Sequence, residues 1–289
     1  MRGGPGARDD AAVALSDARL GELAARLVEV PGVVGVLLGG SRARGTHTPE
    51  SDTDLGLYYQ PPLDVGALGE LARAVAGPRA QVTEPGEWGP WVDGGGWLTV
   101  DGCAVDWIYR DLDRVKAAWG DAEQGRYAFH QQPGHPLGVP DFAYAGEMAL
   151  GMVLADPAGE LAALRERTAV YPPALAEALV AGLWEADFLI AGGRKGVTRS
   201  DAAWVAGCLF RAMGVCAHAL HGAAGRWLVH EKGAIAAAAA LPGAPERFKE
   251  RVDAAFAGVD GDPLHLTAAL DAAADLVLET ADACAMMTR

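Results

Sequence analysis

An apolar run that ends in glycines and is followed by an acidic strand constrains this chain more than any other feature. Residues 33–39 read VVGVLLG, a β-branched run typical of a buried strand. Residues 51–59 read SDTDLGLYY and alternate, so that Thr53 and Leu55 point to one face and Asp52 and Asp54 to the other. Carboxylates on the lip of a buried strand are costly unless a cation compensates them. The pattern therefore indicates a site that binds something cationic.

The turn between these two runs has the properties of a phosphate-binding turn. The glycines at 40 and 45 do not form a P-loop, because Thr46 and His47 stand where that motif needs lysine and then serine or threonine. A nucleophile elbow is excluded because its glycine pattern is missing around Ser41. Glycine permits close backbone approach, and exposed amides and the Ser41 hydroxyl can donate to phosphate oxygens. Because Mg²⁺ is usually held by one or two carboxylates plus substrate phosphates, the segment predicts a magnesium–phosphate site.

The flanking segments predict an α/β or α+β unit around this site. The stretch DARLGELAARLVEV has leucines at helical spacing, and a second helix is expected over about 64–76. A tryptophan-rich hairpin follows, and its last strand carries Asp106 between Val105 and Trp107. The segment GMVLAD, at 151–156, can add one more strand to the same sheet.

From about residue 142 the sequence changes to alanine-rich helical patterns. The segment 171–193 places Leu175, Leu179 and Leu183 on one stripe and is expected to end as a helix at Gly192–Gly193. Two prolines at 172 and 173 suggest a domain boundary there. We therefore predict a disordered tail over 1–17, a first domain over 18–170 and an α-helical domain over 171–289.

The glycine–serine turn and the three acids together resemble the nucleotidyltransferase superfamily related to DNA polymerase β. LGGS, SDTDLG and VDWIY match its motif at Gly40, Ser41, Asp52, Asp54 and Asp106, over roughly residues 36–110, with a less apolar threonine at 53 as the departure. The chain also resembles the bacterial aminoglycoside and lincosamide adenylyltransferases, which join this domain to a helical one. The segment RWLVHEKGAI is similar to their helical segment in which a lysine meets the nucleotide phosphates, here Lys232.

The resemblance implies an α+β fold, with a mixed sheet and flanking helices followed by a helical bundle. It implies transfer of a nucleoside monophosphate, AMP when the co-substrate is ATP, to a hydroxyl with release of pyrophosphate. Two magnesium ions would stabilise the attacking and leaving oxygens. Asp52 and Asp54 would hold the metals, and Asp106 would either complete a metal site or accept the hydroxyl proton.

Four further residues are candidates for substrate contacts. Arg42 and Arg44 lie in the turn and are either phosphate ligands or solvated. Asp187 continues the leucine stripe at spacing four, which would let it face an acceptor cleft and suit a cationic aminoglycoside. Trp91, with the neighbouring tryptophans 88 and 97, forms either an aromatic wall for a ring-shaped acceptor or the closed end of the hairpin.

Composition limits the partners. The net charge of −14 excludes a general nucleic-acid binder, because phosphate affinity requires a basic face. No stretch approaches 18 uninterrupted apolar residues and the N-terminus has no apolar signal region, so no membrane contact is expected. The four cysteines are far apart and are expected to be reduced, as in a cytoplasmic protein. The oligomeric state stays open.

Two other functions remain compatible with these residues. In the first alternative, the enzyme adenylylates a protein or an endogenous metabolite. Alternatively, the chain is an inactive, antitoxin-like module that keeps the fold without the reaction. The presence of all three acids argues against the inactive module.

Overall fold

The computed structural model describes residues 15–45 and 51–288, which form two compact units. The first unit contains the described residues up to 116 together with residues 147–169. The second unit contains residues 117–146 and the chain from residue 170 onward. The residues beyond the predicted domain boundary at 170 therefore pack together with the earlier segment 117–146, and the boundary itself stays a prediction.

The described residues form seven strands and twelve helices. The strands are β1 (Val33–Leu38), β2 (Thr53–Tyr59), β3 (Gly95–Val100), β4 (Cys103–Asp111), β5 (Phe129–Gln132), β6 (His135–Pro140) and β7 (Met152–Ala155). The helices are α1 (Asp17–Leu27), α2 (Gly40–Ala43), α3 (Val65–Ala76), α4 (Leu112–Ala122), α5 (Ala143–Leu150), α6 (Glu160–Thr168), α7 (Pro173–Ala181), α8 (Trp184–Val197), α9 (Ala202–Ala223), α10 (Ala234–Ala239), α11 (Phe248–Ala257) and α12 (Pro263–Met287).

The first unit is built on a five-stranded mixed sheet with the order β3-β4-β2-β1-β7. Strands β2 and β4 are parallel, and the other neighbours are antiparallel. The apolar residues of α1 and α3 form one buried core with alternate residues of the sheet, among them Leu55 and Leu57 on β2 and Val105 and Trp107 on β4. Thr53 of β2 is buried as well. This alternation leaves the intervening acids on the opposite face of the sheet.

The second unit is a helical bundle around α9. Helix α9 is buried along most of its length and contacts α7, α8, α10 and α12. By length and composition α9 could cross a membrane, but 67% of its most apolar window is buried in the bundle, as in the core helix of a soluble protein. The α+β fold with a following helical bundle is confirmed, and so is the added strand β7, which pairs with β1.

The predicted helix end at Gly192–Gly193 is wrong. The segment forms two helices, α7 and α8, and α8 continues through both glycines to Val197. The physical reason is packing, because a Cβ on Gly193 would lie 2.8 Å from the Leu270 side chain of α12. Glycine here allows two helices to approach closely, although its intrinsic helix propensity is low.

The ends of the chain and the cysteines give two smaller results. Of the predicted tail over 1–17, residues 1–14 lie outside the described residues, while Ser16 caps α1 by accepting a hydrogen bond from the Arg19 amide. All four cysteines are free thiols, and Cys103 is only partly buried whereas the other three are buried.

Two leucines on α12 provide a test of the helical core. Leu276 is fully buried and Leu278 is 62% exposed. We expect Leu276→Ala to destabilise the second unit by about 2–5 kcal/mol, because it removes buried apolar surface and leaves a cavity. Leu278→Ala should change stability by less than about 0.5 kcal/mol. Melting curves followed by circular dichroism measure both; similar losses in the two variants would contradict the described packing of α12.

Candidate functional site

Two acids lie side by side on the open face of the first sheet. Asp54 of β2 and Asp106 of β4 are partners in the parallel register, so their side chains project to the same face from adjacent strands. Both residues are partly buried. Asp52 is exposed and lies directly before β2, which begins at Thr53, so it is at the strand end and not within the strand as expected.

Burial and nearby negative charges raise the pKa values of Asp54 and Asp106. Burial raises the pKa of Asp54, and the nearby charges of Asp52 and Glu147 raise it further, while Arg44 and Arg110 lower it. Burial also raises the pKa of Asp106 to about 6, with added repulsion from Asp54 and Asp52. A carboxyl that ionises near neutrality in a cluster of like charges is typical of functional sites.

Gly40 lies in direct contact with the carboxylate of Asp54. Its φ is +63°, a conformation that glycine adopts easily, and a Cβ at this position would lie 1.7 Å from Asp54 Oδ2. The Gly39 amide donates a hydrogen bond of 2.8 Å to the Asp54 carbonyl. The turn that was predicted to bind phosphate is therefore held against the acids, with Ser41 partly buried in the short helix α2.

The two arginines of this turn have different surroundings. The Arg42 guanidinium donates to the carbonyl oxygens of Ser51 (2.6 Å) and Asp52 (3.2 Å), which joins the turn to the start of β2. Arg44 is exposed, and its charge lowers the pKa of Asp54. Of the two, Arg44 is better placed to meet an anionic substrate beside the acids.

A partly buried ion pair that was not predicted from the sequence lies beside the acids. Arg110, which is 6% exposed, donates to both carboxylate oxygens of Glu147 at 2.6 and 2.8 Å, and also to the Tyr109 carbonyl. Arg110 follows Asp106 by four residues on β4, so period-two alternation places both on one face of the strand. That spacing was a usable signal for Arg110. Nothing in the local sequence indicated Glu147, which is 37 residues further along the chain.

The donor set fits magnesium only together with a substrate. Within the described ranges, no group of three or more His, Cys, Asp or Glu side chains converges as a ready metal site. Asp54 and Asp106 nevertheless supply two carboxylate groups in register on adjacent strands, and burial and nearby negative charges raise the pKa of both. Magnesium commonly takes one or two carboxylates and completes its shell with water and substrate phosphates.

The tryptophans beside the acids form a stacked pair. Trp97 of β3 is the register partner of Asp106, and its ring stacks on that of Trp88 with centroids 4.4 Å apart and planes 15° apart. Trp97 is 73% exposed. Trp91 is partly buried, with the Arg114 guanidinium 5.8 Å from its ring centroid. Of the three tryptophans, Trp97 presents the most open ring.

Two predicted site residues belong to the second unit. Lys232 is exposed in the turn before α10. Its backbone amide donates a hydrogen bond of 2.7 Å to His230 Nδ1. Asp187 is exposed on α8. The acids and the glycine–serine turn all belong to the first unit, so the roles given to Lys232 and Asp187 stay predictions.

Comparisons with known proteins agree with the reading of the first unit. Residues 20–83 match the family model described as a nucleotidyltransferase domain. This span contains Gly40, Ser41, Asp52 and Asp54, but it ends before Asp106. The match supports a transferase whose general reaction is nucleotidyl transfer.

The other comparisons add little. A solved structure of a nucleotidyltransferase-like protein from Exiguobacterium sibiricum aligns over 94% of this chain and 77% of its own, with 9% sequence identity and a TM-score of 0.43. A similarity at this level carries no argument about function. No curated protein matches the chain. The family match over residues 20–83 is therefore the comparison that bears on the site.

Proposed function

We propose that this protein is a metal-dependent adenylyltransferase that moves AMP from ATP to a hydroxyl of a small acceptor, an antibiotic of the aminoglycoside type. The observation that carries the proposal is the register of Asp54 and Asp106 on one sheet face, with Gly40 in contact with the Asp54 carboxylate. A phosphate-binding turn beside paired acids is the arrangement that nucleotidyl transfer requires.

The reaction makes one bond and breaks one bond. The acceptor hydroxyl loses its proton and attacks the α-phosphorus of ATP, while the bond between that phosphorus and the pyrophosphate oxygen breaks. Asp106 is suited to take the proton, because a pKa of about 6 leaves it ionised at neutral pH and close to the value that general bases need. The same carboxylate is also suited to bind metal, and the variants below separate the two roles.

The remaining site residues bind and orient the nucleotide. Asp52, Asp54 and Asp106 would hold magnesium, which supplies charge stabilisation for the transferring phosphoryl group when it is bound. Gly40 and Ser41 would donate to the phosphates, and Arg44 would add a cation beside them. Arg42 holds the turn to the start of β2 and so keeps its donors in place. Lys232 is proposed as a further phosphate contact from the helical unit.

The proposed acceptor is a hydroxylated cation, with Asp187 and Trp91 as its candidate contacts. The net charge of −14 supports this choice, because an acidic protein attracts polyamines and repels nucleic acids. Mass spectrometry of products from a mixed antibiotic panel with ATP and Mg²⁺ tests it. An adenylylated aminoglycoside would support the proposal, and labelling of a protein or a neutral metabolite instead would replace the acceptor class.

Removal of either metal-binding acid should abolish transfer. We expect Asp52→Asn and Asp54→Asn each to lower the rate of pyrophosphate release by at least about a hundredfold, because charge stabilisation by bound metal is worth several kcal/mol. Asp101→Asn is the control, since Asp101 is exposed in the β3–β4 turn and its carboxylate pairs with Arg19 at the surface. If Asp54→Asn keeps activity within a few-fold of wild type, the mechanism is wrong.

Neutralising Asp106 should stabilise the fold at neutral pH. The folded protein raises the pKa of Asp106 from its ordinary 3.8 to about 6, so the folded state binds more protons than the unfolded state between these values. The contribution of Asp106 to the free energy of unfolding therefore falls as pH rises from 3.8 to about 6. Asp106→Asn should melt at a higher temperature than wild type in metal-free buffer near neutrality, and the difference should shrink as pH falls towards about 4. A difference that does not change with pH would contradict this assignment.

Calorimetry on the same Asp106→Asn variant separates its two possible roles. If Asp106 is mainly the base, the variant should lose turnover while it keeps the affinity for ATP with magnesium within a few-fold of wild type. A loss of affinity of tenfold or more, about 1.4 kcal/mol, would assign Asp106 mainly to the metal.

Two glycines of the turn form a matched pair for the contact with Asp54. Gly40 and Gly45 have φ values of +63° and +67°. Among the described residues, a Cβ on Gly45 meets nothing within 4 Å, whereas one on Gly40 would strike the Asp54 carboxylate. Alanine at either position must adopt a left-handed backbone conformation, which lowers the free energy of unfolding by about 1–2 kcal/mol. We expect only Gly40→Ala to lose transfer activity, because it displaces a metal ligand. Equal loss in both variants, measured as pyrophosphate release, would show that backbone strain alone is responsible.

A further inference from the structure

The two stacked tryptophans differ from the other large apolar side chains of the first sheet. On β3, Leu98 and Val100 point into the core, whereas Trp97 and Thr99 are exposed on the opposite face. Trp88 stacks on the Trp97 ring, yet Trp97 as a whole residue stays 73% exposed. A single exposed apolar residue needs no explanation. Here, however, a second ring fixes the orientation of an indole beside the candidate catalytic acids.

The register places this pair on a defined side of the acids. Across the sheet face, Trp97 on β3 lies next to Asp106 on β4, which lies next to Asp54 on β2, with Gly40 against Asp54. Adjacent strands are about 4.8 Å apart, so Trp97 is one strand from Asp106 and two from Asp54. Gly40 and Trp97 are thus on opposite sides of the two acids.

The order of Trp97, Asp106, Asp54 and Gly40 across the sheet face can be compared with the geometry of an in-line displacement. The attacking and leaving oxygens lie on opposite sides of the reacting phosphorus. If the pyrophosphate leaves towards the glycine–serine turn, the acceptor hydroxyl approaches from the side of Asp106 and Trp97. This step rests on the proposed function, which assigns the turn to the phosphates.

We propose that the Trp88–Trp97 pair, here called the tryptophan stack, binds a sugar-type ring of the acceptor through the exposed face of Trp97. Indole rings offer a large, rigid apolar face at low entropic cost. A sugar-type ring carries C–H bonds on its flat face and hydroxyls on its rim, so the face can stack while a rim hydroxyl reaches towards Asp106. Amino groups on such a ring add attraction to the indole face.

Binding to the stack can be observed without any reaction. Protein containing 5-fluorotryptophan shows one fluorine signal for each of its eight tryptophans, and the spectra of Trp97→Phe and Trp88→Phe assign the two that matter. The probes are kanamycin (cationic rings), maltose (neutral rings), spermidine (a cation without a ring) and ATP with Mg²⁺. We expect the Trp97 signal to shift with kanamycin or maltose and not with spermidine or ATP. No shift with either ring probe, or a shift of similar size with ATP, would overturn the proposal.

Steady-state kinetics with the acceptor that the enzyme adenylylates give the second test. Trp97→Ala should raise the KM for a ring-bearing acceptor by about three- to tenfold at nearly constant kcat, and Trp97→Phe should recover part of the loss. Thr99→Ala is the matched control, because Thr99 is exposed on the same face of the same strand. An unchanged KM in Trp97→Ala, or the same rise in Thr99→Ala, would overturn the proposal. Failure of the proposed function is a different result, since wild-type protein would then release no pyrophosphate while the fluorine experiment still reports on the stack.

Discussion

The parallel register of β2 and β4 is the constraint on which the candidate site of the first unit depends. The parallel register of β2 and β4 places the two carboxylates side by side, and burial and like charge together raise both pKa values. The apolar residues that alternate with them hold this register, because a shift by one residue would move the acids into the core. The fold therefore maintains an arrangement that is locally unfavourable in the absence of a cation.

The neighbouring cations do not remove this repulsion. Arg110 is buried close to Asp54, but both oxygens of Glu147 accept its hydrogen bonds, so its charge is largely neutralised by that partner. Arg42 donates to backbone carbonyls at the start of β2. Arg44 is exposed to solvent, where its attraction for the acids is screened. A bound divalent cation would thus find a face with surplus negative charge.

The sequence predicted those parts of the site that depend on local patterns. Alternation on β2 correctly separated Thr53 and Leu55 from Asp54, and the apolar flanks located Asp106 on a strand. The pairing of Arg110 with Glu147 could not be predicted, because it joins residues far apart in sequence through the tertiary fold. The helix end predicted at Gly192–Gly193 was wrong for the same reason. Close contact between Gly193 of α8 and Leu270 of α12 overrides the weak helix propensity of glycine.

The hairpin shows how register decides which aromatic residue is available to a ligand. Spacing in the sequence does not distinguish Trp91 from Trp97, since both lie in a glycine-rich tryptophan segment. The antiparallel pairing of β3 with β4 places Trp97 opposite Asp106 and therefore on the face of the acids, while Leu98 points into the core. The same pairing that brings the carboxylates together thus also brings an open indole ring beside them. Stability and function oppose each other here, because any change that relieves the repulsion between the acids also weakens the attraction of this face for a cation.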